Sequence, residues 1–238
     1  MVSIEINPVW VFIFGWTLVI FSVCLFFGLK LIRSIPSRFS SVSLGLNFIG
    51  HAINFITYPF IVLDESVAIP SYKIQVIGYM LSSLTSFLFG RSLTKRPGYK
   101  FVIATTGPAP IIILLVWIIA PFTPVEVSYG YELEIEGWFL GLLATYGYIA
   151  LIYLLRELVK IYRTTTDPTI KKRMIYLIGG YVSLVSSMTL LLTVLPLMFN
   201  SAEIKPFGIM VATICMIYIY LGYRPDKNDN SQSKNFES

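Results

Sequence analysis

The sequence predicts an all-α fold: a polytopic membrane protein of seven transmembrane helices, N-terminus outside and C-terminus in the cytoplasm. Three observations carry this. First, 55% of the 238 residues are hydrophobic and 13% charged, with a mean hydropathy of +0.73, whereas soluble domains carry roughly 25% charged residues. Second, the apolar residues form seven uncharged runs, 8–29, 40–63, 74–90, 101–122, 137–155, 174–198 and 206–223. Most are near the roughly 20 residues a spanning helix needs, and none alternates in the ten-residue manner of a barrel strand. Third, the charges between the runs sort by sign, and basic residues mark every second loop.

Taken in order, the run 8–29 is too long for a cleavable signal and lacks a basic leader and a small-residue cleavage site. Lys30, Arg33 and Arg38 follow it. The run 40–63 holds the only histidine and a proline near its outer end, and leads to Asp64, Glu65 and Lys73. The short run 74–90 is followed by Arg91, Lys95, Arg96 and Lys100. Near the cytoplasmic end of 101–122 stands TTGPAP, Thr105 to Pro110. Each proline frees a carbonyl one turn back, which predicts a fixed bend. The next loop holds Glu126, Glu132, Glu134 and Glu136 and no base. The run 137–155 opens beside Trp138, an expected interface anchor together with Trp10. After it come Arg156, Lys160, Arg163, Lys171, Lys172 and Arg173 against Glu157 and Asp167. Glu203 and Lys205 separate the last two runs, 174–198 and 206–223.

The positive-inside rule places the basic loops in the cytoplasm, so the net charge of +5 reads as a topology signal and not as a nucleic-acid footprint. The expected organisation is one transmembrane domain, 1–224, and a short polar tail, 225–238, with no hydrophobic face and too little chain to fold alone. A plasma-membrane location follows from this plan. Internal repetition is faint: Pro59 and Pro196 lie near outer ends, each followed about ten residues later by a second proline, Pro70 or Pro206. Such a pairing fits parallel repeats around a central helix 4, and equally the backbone preference of proline for helix ends.

Missing groups narrow the chemistry. No Asp, Glu, Lys or Arg occupies the central part of any run, although proton relays, ion-coupled carriers and voltage sensors use such groups. A retinal Schiff base would need a lysine in the last run, and bis-histidine haem a second histidine; neither is present. Asp-rich magnesium sites and a Gly-x-Ser-x-Gly elbow are also missing. Cys24 and Cys215 fall at different expected depths, without partners at metal-ligand spacing. No metal or cofactor is expected, and an enzyme is the least favoured class.

The positive signal lies on helix 2. At 100° per residue, Ser40, Ser43, Asn47, His51, Asn54 and Tyr58 fall within an arc of about 80°. Helix 3 carries a similar stripe of Gln75, Gly78, Tyr79, Ser82 and Ser86, and helix 6 one of Gly179, Gly180, Ser183 and Ser187. Polar groups facing lipid cost several kcal/mol each, on the order of a lost hydrogen bond or more, so all three stripes are expected to face inward. The small-residue faces read as helix packing. For helix 2 two readings stand: a hydrogen-bond network with helix 3, or a ligand pocket lined by Asn47, His51, Asn54, Tyr58, Gln75 and Ser82 around a neutral imidazole. On the cytoplasmic side, Lys171, Lys172 and Arg173 form a basic cluster suited to anionic headgroups or a protein partner.

In the last two helices, TDPTIKKRMIYLIGGYVSLV followed by AEIKPFGIMVATICMIYIYLGYRP resembles the N-terminal seven-helix sensor region of certain histidine kinases. The shared pattern is a basic cluster opening helix 6, an early Gly pair, a polar-Pro opening to helix 7, and an aromatic exit with a basic residue, here Tyr220, Tyr223 and Arg224. EGWFLGLLATYGYIALIYLLREL is similar to the fifth helix of that region, so the likeness extends over about 8–224. It departs where the family continues into signalling modules, since only a short polar tail follows Arg224. The resemblance implies a stand-alone sensor acting through a partner chain, and it assigns no ligand residues. The expected function is therefore a non-enzymatic membrane sensor that binds a small or lipophilic ligand within the bundle. It would have membrane lipids and a protein partner as its contacts, and no nucleic acid. The loops after helices 3 and 5 are its longest basic cytoplasmic surfaces. An accessory subunit of a larger membrane complex, or a carrier for an uncharged solute, would show much the same sequence.

Overall fold

The computed structural model describes residues 8–34, 38–63, 65–119, 121–127, 130–190 and 205–224. The elements run α1 (Pro8–Ser34), α2 (Phe39–Leu63), α3 (Glu65–Ser92), α4 (Tyr99–Thr106), α5 (Pro108–Ile119), β1 (Phe122–Val127), β2 (Gly130–Ile135), α6 (Gly137–Thr164), α7 (Pro168–Thr189) and α8 (Lys205–Tyr223). Among the described residues, Trp10–Ser34, Phe39–Val62, Tyr99–Ile119 and Gly137–Thr164 are long and apolar enough to cross a membrane, and Phe207–Tyr223 is a shorter apolar helix. The chain is thus a helical membrane protein. The second half of the run 174–198, with Pro196, and the tail 225–238 lie outside the described residues.

The helices overrun the apolar segments that predict them. The expected loop 64–73 is mostly helix, because α3 begins at Glu65, and Pro70, expected to open the third helix, sits inside it. Helix α6 likewise continues through Arg156, Lys160 and Arg163. The loss of apolar residues marks where hydrocarbon ends, whereas a helix stops only when its backbone bonding is interrupted. The bend expected at TTGPAP is a break at Gly107, with Pro108 and Pro110 in the first turn of α5. There a proline's missing N–H is no loss. The Tyr146 hydroxyl donates to the Thr105 carbonyl at 2.8 Å, holding α6 against the break.

The expected fourth helix is also shorter than the run 101–122, since α5 ends at Ile119 and an antiparallel hairpin follows. Phe122 pairs with Ile135 and Val127 with Gly130, leaving a two-residue connection. Two alternating runs, FTPVEV and GYELEI, either side of two residues are the sequence signal for this hairpin.

Two apolar cores hold the bundle. One gathers Ile20 of α1, Phe48 of α2, Leu184 of α7 and Met216 of α8; the other gathers Tyr72 and Met80 of α3, Ile112 of α5 and Phe139 of α6, closed at one end by Phe122 of the hairpin. Helices α2 and α3 form the most extensive seam among the described residues. A Cβ at Gly50 would come within 2.8 Å of the Gly78 carbonyl oxygen, and one at Gly78 within 2.8 Å of the Asn54 nitrogen. Gly28 and Gly45 bring α1 equally close to α2.

Candidate functional site

The predicted face of α2 does turn into the bundle. Ser40, Ser43, Asn47 and Asn54 are all buried. Asn47, 1% exposed, uses its whole amide: Nδ2 donates to the Ser82 carbonyl at 2.6 Å and to Ser86 Oγ at 3.0 Å, while Oδ1 accepts from the Tyr181 hydroxyl at 3.2 Å. One side chain thereby ties α2 to α3 and α7. Ser82 Oγ donates to the Tyr79 carbonyl at 2.9 Å, and Gln75 Nε2 to the Asn54 carbonyl at 3.3 Å. At the other end of the face, the Ser40 and Ser41 hydroxyls lie 2.6 and 3.0 Å from the Tyr223 hydroxyl, fastening the start of α2 to the end of α8.

Of the six residues expected to line a pocket, Asn47 and Gln75 thus use their side chains between helices, Ser82 accepts from Asn47 through its carbonyl while its hydroxyl bonds within α3, and Asn54 is buried beside them. His51 differs. It makes no hydrogen bond among the described residues, and its buried Nδ1 has no partner. The ring is nevertheless partly exposed, as is Tyr58 two turns on, although the same face is buried on both sides, by Asn47 and Asn54 and by Leu44, Phe55 and Val62. His51 and Tyr58 are thus the half-buried members of an otherwise buried polar face.

Two expectations need correction. The stripe on the sixth predicted helix does not face inward as a whole: Gly180 and Ser187 are buried, whereas Gly179 and Ser183 are exposed. Adjacent helical residues point about 100° apart, and Gly180 takes the inner position, where a Cβ would strike Ile219 and approach the Cys215 carbonyl of α8. Glu157, counted as a loop charge, is a buried residue of α6, 7% exposed, whose carboxylate accepts from Thr94 Oγ1 at 2.9 Å. Its spacing from Leu154 and Ile161 would have placed it on the inner face, had the helix been carried past the apolar run.

The basic cluster opens α7. Asp167 caps that helix by accepting from the Thr169 N–H at 2.7 Å, with Pro168 next, as helix starts prefer. Lys171 turns toward α6, with Nζ 6.0 Å from the Tyr162 ring, and Lys172 lies over Tyr176 on the side of α8. Lys172 and Arg173, with Tyr176, Tyr218, Leu221 and Arg224, line an open groove of about 430 Å³. Tyr181, Tyr218 and Arg224 escaped sequence reasoning as site residues because nothing in their own helices sets them apart; they matter through what α2 and α7 bring beside them. Cys24 and Cys215 are buried free thiols.

No family model matches the chain, and no curated protein is similar to it in sequence.

Proposed function

We propose that the chain is a non-enzymatic, seven-span protein of the plasma membrane that binds a small uncharged or lipophilic ligand between its helices and signals through a partner protein. The observation that carries the ligand reading is His51, a half-buried polar side chain on the polar face of α2 whose buried Nδ1 has no hydrogen-bond partner among the described residues, on the same face as half-buried Tyr58. A neutral imidazole offers one donor and one acceptor, which suits an uncharged polar group on an otherwise apolar ligand. Among the described residues no acid or hydroxyl is bonded to His51, which is in keeping with a binding and not a general acid–base role. Occupancy beside His51 would bear on Asn47 one turn away, and through it on α3 and α7; α7 begins at the basic cytoplasmic cluster.

The test is purification in mild detergent followed by mass spectrometry of everything retained. A small molecule should accompany the wild-type chain and be lost from His51→Phe, which keeps an aromatic ring and removes its hydrogen-bonding nitrogens. Equal recovery from both, or no small molecule from either, would remove the ligand reading.

The subunit reading has its own support. Gly137, Gly141 and Thr145 form an exposed small-residue row on α6, and a Cβ at either glycine would meet nothing within 4 Å. Such rows let a second helix approach closely in a membrane. A stoichiometric membrane chain retained in the same purification would favour this reading.

A further inference from the structure

We propose that the groove between the second and third turns of α7 and the C-terminal end of α8 binds one anionic phospholipid of the leaflet it faces. This rests on the reading above in one respect only, that α7 and α8 cross the membrane.

The groove joins two kinds of surface. At its mouth stand Lys172, Arg173 and Arg224, and among the described residues no carboxylate lines it. Asp167, the nearest acid in α7's own sequence, is engaged as that helix's cap. One turn deeper, Lys172 Nζ sits 6.0 Å above the Tyr176 ring, which leans on Tyr218 with centroids 5.8 Å apart at 45°. The floor is closed by backbone, because Gly222 lets α8 settle on α7: a Cβ there would meet the Arg173 carbonyl and the Leu177 nitrogen at 3.0 Å.

Beyond Tyr218 the exposed surface of α8 is apolar. Ile214, Ile217, Tyr218 and Leu221 form one exposed row on α8, with Tyr218 46% and Leu221 45% exposed, and Ile175 and Val182 are exposed on α7. A phosphodiester would meet the three cations, the ester region would lie beside the tyrosine hydroxyls, and an acyl chain would follow the α8 row. Aromatic rings with one wet edge favour that interfacial depth. A free phosphate would use the mouth alone and leave the row idle, whereas a phospholipid uses both.

The experiment uses the full-length chain, delipidated in mild detergent and titrated with dioleoyl phosphatidylglycerol, dioleoyl phosphatidylcholine or soluble glycerol phosphate, with bound lipid counted by native mass spectrometry. One phosphatidylglycerol should be retained at least about tenfold more tightly than phosphatidylcholine. Removing one groove cation should weaken it about fivefold, and Lys172→Gln with Arg224→Gln together about 25-fold, from roughly 1 kcal/mol per interfacial cation. A Lys95→Gln/Lys100→Gln chain, altered in another basic loop, should bind like wild type. Should the double groove variant not elute as a folded chain, the two exposed single substitutions give the same reading. Equal retention of both lipids, unchanged affinity in the groove variants, or glycerol phosphate binding as tightly as phosphatidylglycerol would each overturn the proposal. Thiol labelling of Lys95→Cys and Glu134→Cys chains in intact cells tests the spanning reading separately, so a wrong topology and a missing lipid site give different results.

Discussion

Asn47 concentrates more of the interior's polar bonding than any neighbour on its face. Both of its amide atoms are engaged, with three partners on two other helices. In a membrane such bonds average about 0.6 kcal/mol and reach about 1.7, because the separated helices also find partners. The bond to Tyr181 is testable by a double-mutant cycle in detergent, with Asn47→Ala, Tyr181→Phe and both together. We expect a coupling of about 0.6–1.7 kcal/mol, and strict additivity would mean the two side chains do not interact. Glu157 calls for a similar reading. Its carboxylate is buried and accepts from Thr94, so Thr94→Val should lower thermal stability by about 1–3 kcal/mol, a buried charge having lost its donor. An unchanged melting temperature would place water or another group at that carboxylate. His51 was legible in the sequence as the odd residue of its helix; that its buried Nδ1 has no partner among the described residues while Asn47 is fully engaged was not, because the partners of Asn47 come from α3 and α7.

At the scale of elements, the seams between helices rest on glycines set against backbone. Backbone atoms cannot move aside as a flexible side chain can, so overpacking there costs about 1–3 kcal/mol. Gly50→Ala and Gly78→Ala should therefore each destabilise the detergent-solubilised protein by about that amount in thermal unfolding. Gly141→Ala, with open space at its Cβ, should be neutral or stabilise by up to about 1 kcal/mol. A gain at all three positions would show that helix propensity and not close approach sets the effect. The hairpin and the helix extensions mark how far element prediction from hydropathy reaches. It locates the stretches that must be apolar, such as 40–63 and 137–155. It says little about 65–73, where α3 has already begun, or about the strands of the hairpin, which pack against α3.

Across the whole molecule, contacts join ends that the charge pattern places on the same membrane face. Ser40 and Ser41 meet Tyr223, Thr94 meets Glu157, and on the opposite face Lys73 lies over Trp117, 5.2 Å from its ring. With seven spans and basic loops inside, a thiol reagent that does not cross membranes should label Glu134→Cys and not Lys95→Cys in intact cells. Both positions are exposed, and the two native cysteines are buried. Labelling of Lys95→Cys from outside would reverse the proposed orientation.

The sequence by itself determined that this chain is a helical membrane protein, because the demand of hydrocarbon for long uncharged segments is local and one-dimensional. It also determined which face of α2 is polar, since that is a matter of spacing along one helix. Which partners satisfy that face, which of two adjacent glycines packs inward, and which cations share a groove were decided only by tertiary structure. Each depends on residues such as Asn47 and Tyr181, 134 positions apart, and no pattern within a single helix records what another helix brings beside it.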